Sequence, residues 1–173
     1  MHTSAPEVAV PDTGALVSGG GSSISRILVP IRRARDSVDT LAVAARMCSS
    51  TQGVLRLVHV RIFDPPLRCA ARFYPESEAE AAAVADEALP FLWGYGVKAT
   101  TAVVEAPRTE VAAAIARHAA AWRADVIVMS RRPSLAFWRF VLGSIPDQVM
   151  RKATCPVLAV HPKPGLARQR AAW

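Results

Sequence analysis

The sequence predicts a single parallel α/β domain, because short β-branched runs alternate with longer segments of helical periodicity. Its 173 residues suit one hydrophobic core. Apolar runs without polar alternation are typical of strands buried on both faces of a sheet. The predicted strands are 27–30, 54–60, 97–104, 125–129 and 157–160.

Four helices are predicted between these strands, at 36–50, 75–93, 111–122 and 144–152. Asp36 or Ser37 can cap the first helix. We expect Leu41, Ala44, Ala45 and Cys48 on its inward side, which makes Cys48 a core residue rather than a nucleophile.

Carboxylates mark the starts of two helices. Glu76, Glu78 and Glu80 open the second helix and are expected to be solvated groups at the positive end of its dipole. Ser144 and Asp147 have the spacing of a capping box for the last helix. Asp125 is expected to turn the chain into the fourth strand.

The chain divides into a predicted flexible arm at 1–23, a folded domain at 24–161 and a basic tail at 162–173. The arm is rich in Pro, Ser, Thr and Gly, and this composition buries too little apolar surface to fold alone. The tail contains proline and cations and ends in Trp173, so it too is expected outside the core.

Composition limits the function classes. The formal charge is +7, but the cations are spread along the chain without interleaved aromatics, which favours a solvated basic surface over a nucleic-acid site. Three cysteines without a C-x-x-C pair fit neither a disulfide framework nor a zinc site. No run suits a membrane span or a secretory signal, so we expect a cytoplasmic protein without a metal.

The histidines do not predict a catalytic site. His59 lies in the second strand, His118 in a helix and His161 after the last strand. No serine, cysteine or carboxylate is spaced to make His59 a base, so a structural or solvated role is expected for each. We therefore predict no enzymatic activity.

Several short motifs, in this order, carry a family resemblance. They are ILVP at 27–30, LVHV at 57–60, DVIVM at 125–129, LGS at 142–144 and CPVLAV at 155–160. Together they resemble a universal stress protein domain over residues 24–161. The combination is far more specific than any one motif alone.

The resemblance implies a five-stranded parallel sheet in the order 3-2-1-4-5 with helices on both faces, a dimer, and a role in stress tolerance, often with bound ATP. In ATP-binding members, an aspartate two residues after the first strand's proline contacts the ribose, and a G-x-x-G-x9-G-[ST] loop holds the phosphates. Here Arg32 takes the aspartate position, while Ser130 and Pro133 take the first two glycine positions. Only Gly143 and Ser144 of the phosphate motif are left.

These departures predict weakened recognition of ATP. Proline fixes φ and has no N–H to donate, whereas glycine lets a backbone approach phosphate closely. The altered or vestigial nucleotide site comprises residues at the carboxyl ends of strands and in the loop beyond them. They are Pro30, Ile31, Arg32, Val60, Met129, Ser130, Arg131, Pro133, Gly143 and Ser144.

Two interpretations of the arginines in this site remain open. Arg32, Arg131 and Arg132 are either exposed loop cations without a ligand or parts of a remodelled anion pocket. Arginine suits an added phosphate where a carboxylate suits a free ribose hydroxyl, so a ribose-phosphorylated or other anionic nucleotide would fit such a pocket. Ser144 is either an ordinary N-cap or a phosphate ligand at a helix N-terminus.

Two protein contacts are also expected. Large apolar side chains concentrate in the loop at 133–142, including Phe137, Trp138 and Phe140, and either fill the cleft or bind a partner. The last strand, which comprises Val157, Leu158, Ala159 and Val160, is expected to pair with a second copy as an uncovered edge.

The leading hypothesis is a stress-response regulatory or binding protein that does not bind ATP in the usual way and acts through dimerisation or a protein partner. An alternative is an arginine-lined pocket for ATP or another anionic nucleotide. A second alternative is nucleic-acid binding by the basic surface, with a steep dependence on salt.

Overall fold

A computed structural model describes residues 24–64, 72–131 and 144–161. Its five strands form one parallel sheet in the order β3-β2-β1-β4-β5, which confirms the predicted fold class and strand order. The predicted arm at 1–23 and tail at 162–173 lie outside the described residues. No helix within the described ranges is long and apolar enough to cross a membrane.

The strands and helices alternate along the chain. The strands are β1 Arg26–Ile31, β2 Val54–Phe63, β3 Lys98–Pro107, β4 Val126–Ser130 and β5 Val157–Val160. The helices are α1 Val38–Thr51, α2 Glu78–Asp86, α3 Leu89–Trp93, α4 Val111–Ala121 and α5 Ile145–Lys152. Short 3₁₀ turns at Ala34–Asp36 and Arg108–Glu110 precede α1 and α4.

The central strands β1 and β4 and the middle of β2 are buried on both faces, as the continuous apolar runs predict. On one face Ile27, Val29 and Leu57 pack with α1, α2 and α3. On the other face Leu28 and Val58 pack with α4 and α5. The alternation of side chains along each strand therefore sorts neighbouring residues into two separate cores.

Strands β2 and β3 extend farther than the sequence indicates. They pair over ten residues each, whereas β1 pairs with β2 only as far as Ile31 opposite His59. The last residues of β2 and β3 thus project beyond the end of β1. This two-stranded extension stands beside the carboxyl edge of the central strands.

The predicted second helix at 75–93 is wrong as a single element. It begins at Glu78 rather than at residue 75 and divides into α2 and α3. Pro90 lies in the first turn of α3, where its missing N–H costs nothing, but inside a continuous helix it would remove a backbone bond. Ser77 and Glu80 form a capping box at the start of α2.

Helix α1 confirms the predicted inward residues. Leu41, Ala44, Ala45 and Cys48 are all buried, and burial raises the pKa of the Cys48 thiol, in keeping with a core role. The expected side-chain cap is absent at Ser37. Its hydroxyl instead donates to the carbonyl of Arg33 and closes the preceding turn.

Asp125 joins the starts of β1 and β4. Its Oδ2 accepts the backbone N–H groups of Ser25 and Arg26 at 2.8 Å each and the Ser25 hydroxyl at 3.1 Å. Desolvation raises the pKa of this carboxyl, but the hydrogen bonds outweigh it and leave the pKa below the ordinary value. Asp125 therefore lies at the entry to β4, as expected, and also holds the start of β1.

Candidate functional site

The candidate site lies at the carboxyl ends of β1 and β4. The sheet order reverses between these adjacent strands, and ligands of open α/β sheets bind outside such a switch point. Pro30 and Ile31 end β1 and Arg32 follows them, while Ser130 ends β4 and Arg131 follows it. The predicted segments therefore meet at one edge of the sheet.

The apolar members of the predicted site belong to the core. Ile31, Val60 and Met129 are buried, and Pro30 is half-buried. Ile31 packs on the α1 face, whereas Val60 and Met129 pack on the α4 face. These residues form the buried base beneath the candidate site. Pro133 and Gly143 lie outside the described residues.

Arg32 is directed into solvent. Its side chain is 77% exposed, and its Nη2 lies 3.6 Å from Oδ2 of Asp36, four residues later. An exposed pair of this kind contributes little to stability. Arg32 thus presents a cation where the resemblance places a ribose-binding carboxylate.

Ser144 and Asp147 form the predicted capping box at the start of α5. The Ser144 hydroxyl donates to Asp147 Oδ2 at 2.6 Å, the Ser144 N–H donates to the same oxygen at 3.2 Å, and the Asp147 N–H reaches the Ser144 hydroxyl at 3.4 Å. The bond from the hydroxyl, followed by that from the N–H, lowers the pKa of Asp147. Both donors of Ser144 are therefore directed to a carboxylate of the chain itself.

Arg131 completes this arrangement. Its Nη2 lies 3.6 Å from Asp147 Oδ1, and its side chain is 46% exposed. Its backbone N–H donates to the carbonyl of Val160 at 2.8 Å, which fixes the end of β4 against β5. The carboxylate of Asp147 is thus shared between a cation from the β4 end and the cap of α5.

His59 has a carboxylate partner that the sequence interpretation missed. The residue is buried, with Nδ1 3.1 Å from the Ile31 carbonyl and Nε2 2.8 Å from Glu76 Oε2. The expectation that no carboxylate is spaced to pair with His59 is wrong. Glu76 is also wrongly predicted to be a solvated cap, because the helix begins later and Ser77 with Glu80 supplies the cap.

A sequence signal for this pairing existed only in part. Ser77 and Glu80 have the S-x-x-E spacing of a capping box, which indicates that α2 begins after Glu76 and leaves Glu76 free for another role. Nothing in the spacing from His59 to Glu76 shows that the intervening chain returns to the end of β2. The contact is a tertiary one.

A second polar cluster surrounds Glu105 near the end of β3. The carboxylate accepts from the Tyr74 hydroxyl at 2.7 Å and from Arg61 at 3.0 Å, and Arg72 lies 3.8 Å away. The Tyr74 bond is the main cause that lowers the pKa of Glu105. Arg61 also stacks over the Tyr74 ring, with 3.9 Å to the centroid.

One ring nitrogen of His118, in α4, lacks a hydrogen-bond partner within the described ranges. Nε2 of His118 is buried without a partner among the described residues. Burial, followed by the nearby charge of Arg56, lowers the pKa of His118. Groups of three or more metal-ligating side chains are not found in the described ranges.

Comparison with known proteins decides the family. The model of the universal stress protein family matches residues 23–161. The chain belongs to the universal stress protein family. The comparison with curated protein sequences gives no match.

Solved universal stress proteins share the fold at low identity. One in complex with cAMP has a TM-score of 0.65 and 19% identity, with 82% of this chain and 100% of that chain covered. One from Archaeoglobus fulgidus in complex with dAMP has a TM-score of 0.58 and 20% identity over 79% and 98% of the two chains. A family protein from Arabidopsis thaliana with AMP bound has a TM-score of 0.56 and 14% identity over 81% and 93%.

Proposed function

We propose that this universal stress protein is a stress-response regulatory protein that does not bind ATP in the usual way. It acts in the cytoplasm by binding, without catalysis, through dimerisation or a protein partner. The observation that carries the proposal is the presence of an exposed Arg32 where the resemblance places an aspartate. A carboxylate at this position can accept a hydrogen bond from a ribose hydroxyl, whereas the guanidinium of Arg32 has donors only and cannot take that role.

The contacts of Ser144 and Arg131, where the resemblance places the phosphates, support the same conclusion. Asp147 places a negative charge beside Arg131 and accepts both donors of Ser144. A phosphate at this position would need to displace that carboxylate from its bonds or lie beside a like charge. The groups that would recruit an anion are thus already neutralised within the chain.

The direct test restores the family residues. Wild-type protein freed of carried-over ligand is compared by equilibrium dialysis with a variant carrying Arg32→Asp, Ser130→Gly and Pro133→Gly. We expect labelled ATP with magnesium to be retained by the variant and not by the wild type. Retention of ATP by the wild type at the level of the variant would contradict the proposal.

Dimerisation is proposed through β5, which is an edge strand of the described sheet. Its outward backbone groups can pair with a second copy, and Leu158 is 40% exposed on the same strand. Met150 on α5 is also exposed. These two side chains supply apolar surface beside the edge.

The second proposed contact, through the loop with Phe137, Trp138 and Phe140, lies outside the described residues.

A nucleotide-binding function is the alternative, and the relatives in complex with cAMP, dAMP and AMP favour it. In that case Arg32 and Arg131 would exchange their carboxylate partners for the phosphates of an anionic nucleotide. Titration of a ribose-phosphorylated nucleotide into wild type and Arg32→Ala tests this alternative. An affinity unchanged by the substitution would exclude a role for Arg32.

A further inference from the structure

We propose that His59 and Glu76 form a proton-dependent link between the end of β1 and the segment that leads into α2. The link is a conformational device of the fold and does not depend on whether a nucleotide binds. It joins two parts of the chain that border the carboxyl edge. The hydrogen bond between the two side chains forms only when one of them carries an additional proton.

The hydrogen-bond inventory requires that proton. The Ile31 carbonyl can only accept, so Nδ1 of His59, 3.1 Å away, carries a hydrogen. Nε2 of a neutral ring would then be an acceptor, and it faces an ionised Glu76 oxygen, also an acceptor, at 2.8 Å. Two acceptors repel at this distance, so a proton lies between them, on the imidazole or on the carboxyl group.

Because the His59–Glu76 pair is largely buried, water cannot readily replace the hydrogen bond between the two side chains. The His59 side chain is 7% exposed and that of Glu76 is 28% exposed. A buried polar group that loses its partner bears the cost of its desolvation. The pair therefore favours the bonded, protonated arrangement over two separated groups.

Other charged groups in this region have their own partners. Arg61, two residues along β2 on the same face, donates its Nε to the Glu76 carbonyl at 3.0 Å and pairs with Glu105. The start of α1 carries Asp36, which pairs with Arg32, and Asp39. Glu76 is the carboxylate that contacts the His59 ring, so the proton is shared by these two residues.

The consequence is a pH-dependent tie at the candidate site. Ile31 immediately precedes Arg32, and Glu76 immediately precedes the cap of α2. The tie is complete at low pH and is lost as the pH rises and the shared proton leaves. Arg61 then holds the Glu76 carbonyl alone, and the segment around Phe73 and Tyr74 loosens from the sheet.

The test compares wild type with Glu76→Gln. A glutamine amide can donate to the unprotonated Nε2, so this variant keeps the bond without an additional proton. Imidazole nitrogen-15 and glutamate carboxyl carbon-13 NMR spectra are recorded at pH 6 and pH 9. We expect the wild type to hold the proton at pH 6, on either partner, and to lose it at pH 9.

Hydrogen exchange measures whether the segment that contains Phe73 stays bound to the sheet. The Asp64 N–H donates to the Phe73 carbonyl at 3.0 Å and senses whether the segment is docked. After correction for intrinsic exchange, we expect protection of this amide to fall about tenfold from pH 6 to pH 9 in the wild type, as for loss of one charge-assisted bond. In Glu76→Gln the protection should stay constant.

Two outcomes would overturn the proposal. One is a wild-type spectrum at pH 6 with Nε2 unprotonated and Glu76 ionised. The other is protection at Asp64 that does not change with pH, or that changes equally in both proteins. Because the wild type is compared with itself at two pH values, an unstable variant does not decide the result.

Discussion

Asp147 divides its two carboxylate oxygens between Arg131 and Ser144: Oδ1 lies 3.6 Å from the Arg131 guanidinium, and Oδ2 accepts the Ser144 bonds. One side chain thereby neutralises the cation at the end of β4 and caps α5. On our proposal, this arrangement weakens the attraction of Arg131 for an anionic ligand.

The first prediction concerns this carboxylate. Asp147→Asn keeps an oxygen that can accept from Ser144 but removes the charge that neutralises Arg131. We expect affinity for pyrophosphate, measured by calorimetry, to rise about three- to tenfold, the range of a partly exposed charge pair. Asp86→Asn changes the net charge equally at an exposed position of α2, so an equal rise in that control would contradict the account.

The second prediction concerns the dimer edge. Leu158→Arg places a charge on β5, and Val103→Arg places the same charge on β3, the opposite edge, where the wild-type side chain is 37% exposed. We expect sedimentation to show a monomer for the β5 variant and a dimer for the β3 variant, because a charge disfavours strand pairing. Dissociation by the β3 substitution alone would place the interface elsewhere.

The third prediction concerns Asp125, which holds the start of β1. Asp125→Ala leaves the N–H groups of Ser25 and Arg26 without this acceptor and should lower the free energy of unfolding by about 1–2 kcal/mol in urea. Ser25→Ala removes only the hydroxyl bond and should cost less. Because the native pKa of Asp125 is lowered, its stabilisation is present above the unfolded value and is lost as the pH falls through the native value. An equal cost for both variants would contradict this role.

The fourth prediction concerns His118. Its native pKa is lowered, so below about pH 6.5 the unfolded chain takes up a proton that the folded chain resists. Stability therefore falls as the pH falls through this value toward the native pKa. His118→Leu should show a flatter dependence of the unfolding free energy between pH 7 and pH 5, whereas His161→Gln, at an exposed position, should match the wild type. A wild-type slope in His118→Leu would contradict the assignment.

The fold is readable from the sequence because its signals are local. Continuous apolar runs such as 27–30 and 126–129 indicate strands buried on both faces, and Ser144 with Asp147 indicates the start of α5. The strand order followed from the family resemblance and is confirmed. The division at Pro90 was missed because the surrounding residues keep a helical composition, although proline itself is a local signal.

The sequence predicts which segments of the candidate site meet at one sheet edge, but it does not predict their contacts. The ends of β1 and β4 are found from the strands alone, and the arginines there are visible in the sequence. The partners of Arg131 and His59 are set by distances across the fold. The sequence indicates only a cap role for Asp147 and a solvated helix start for Glu76, because their contacts with Arg131 and His59 form between elements that are distant in sequence.

Calorimetric titration of ATP with magnesium into purified protein freed of carried-over ligand, with a ribose-phosphorylated nucleotide titrated in parallel, tests the central claim most directly. We expect no heat of binding for ATP, because Arg32 replaces the ribose acceptor and Asp147 neutralises Arg131. Micromolar or tighter binding of ATP would show that Gly143 and Ser144 suffice to hold the phosphates, and would contradict the account.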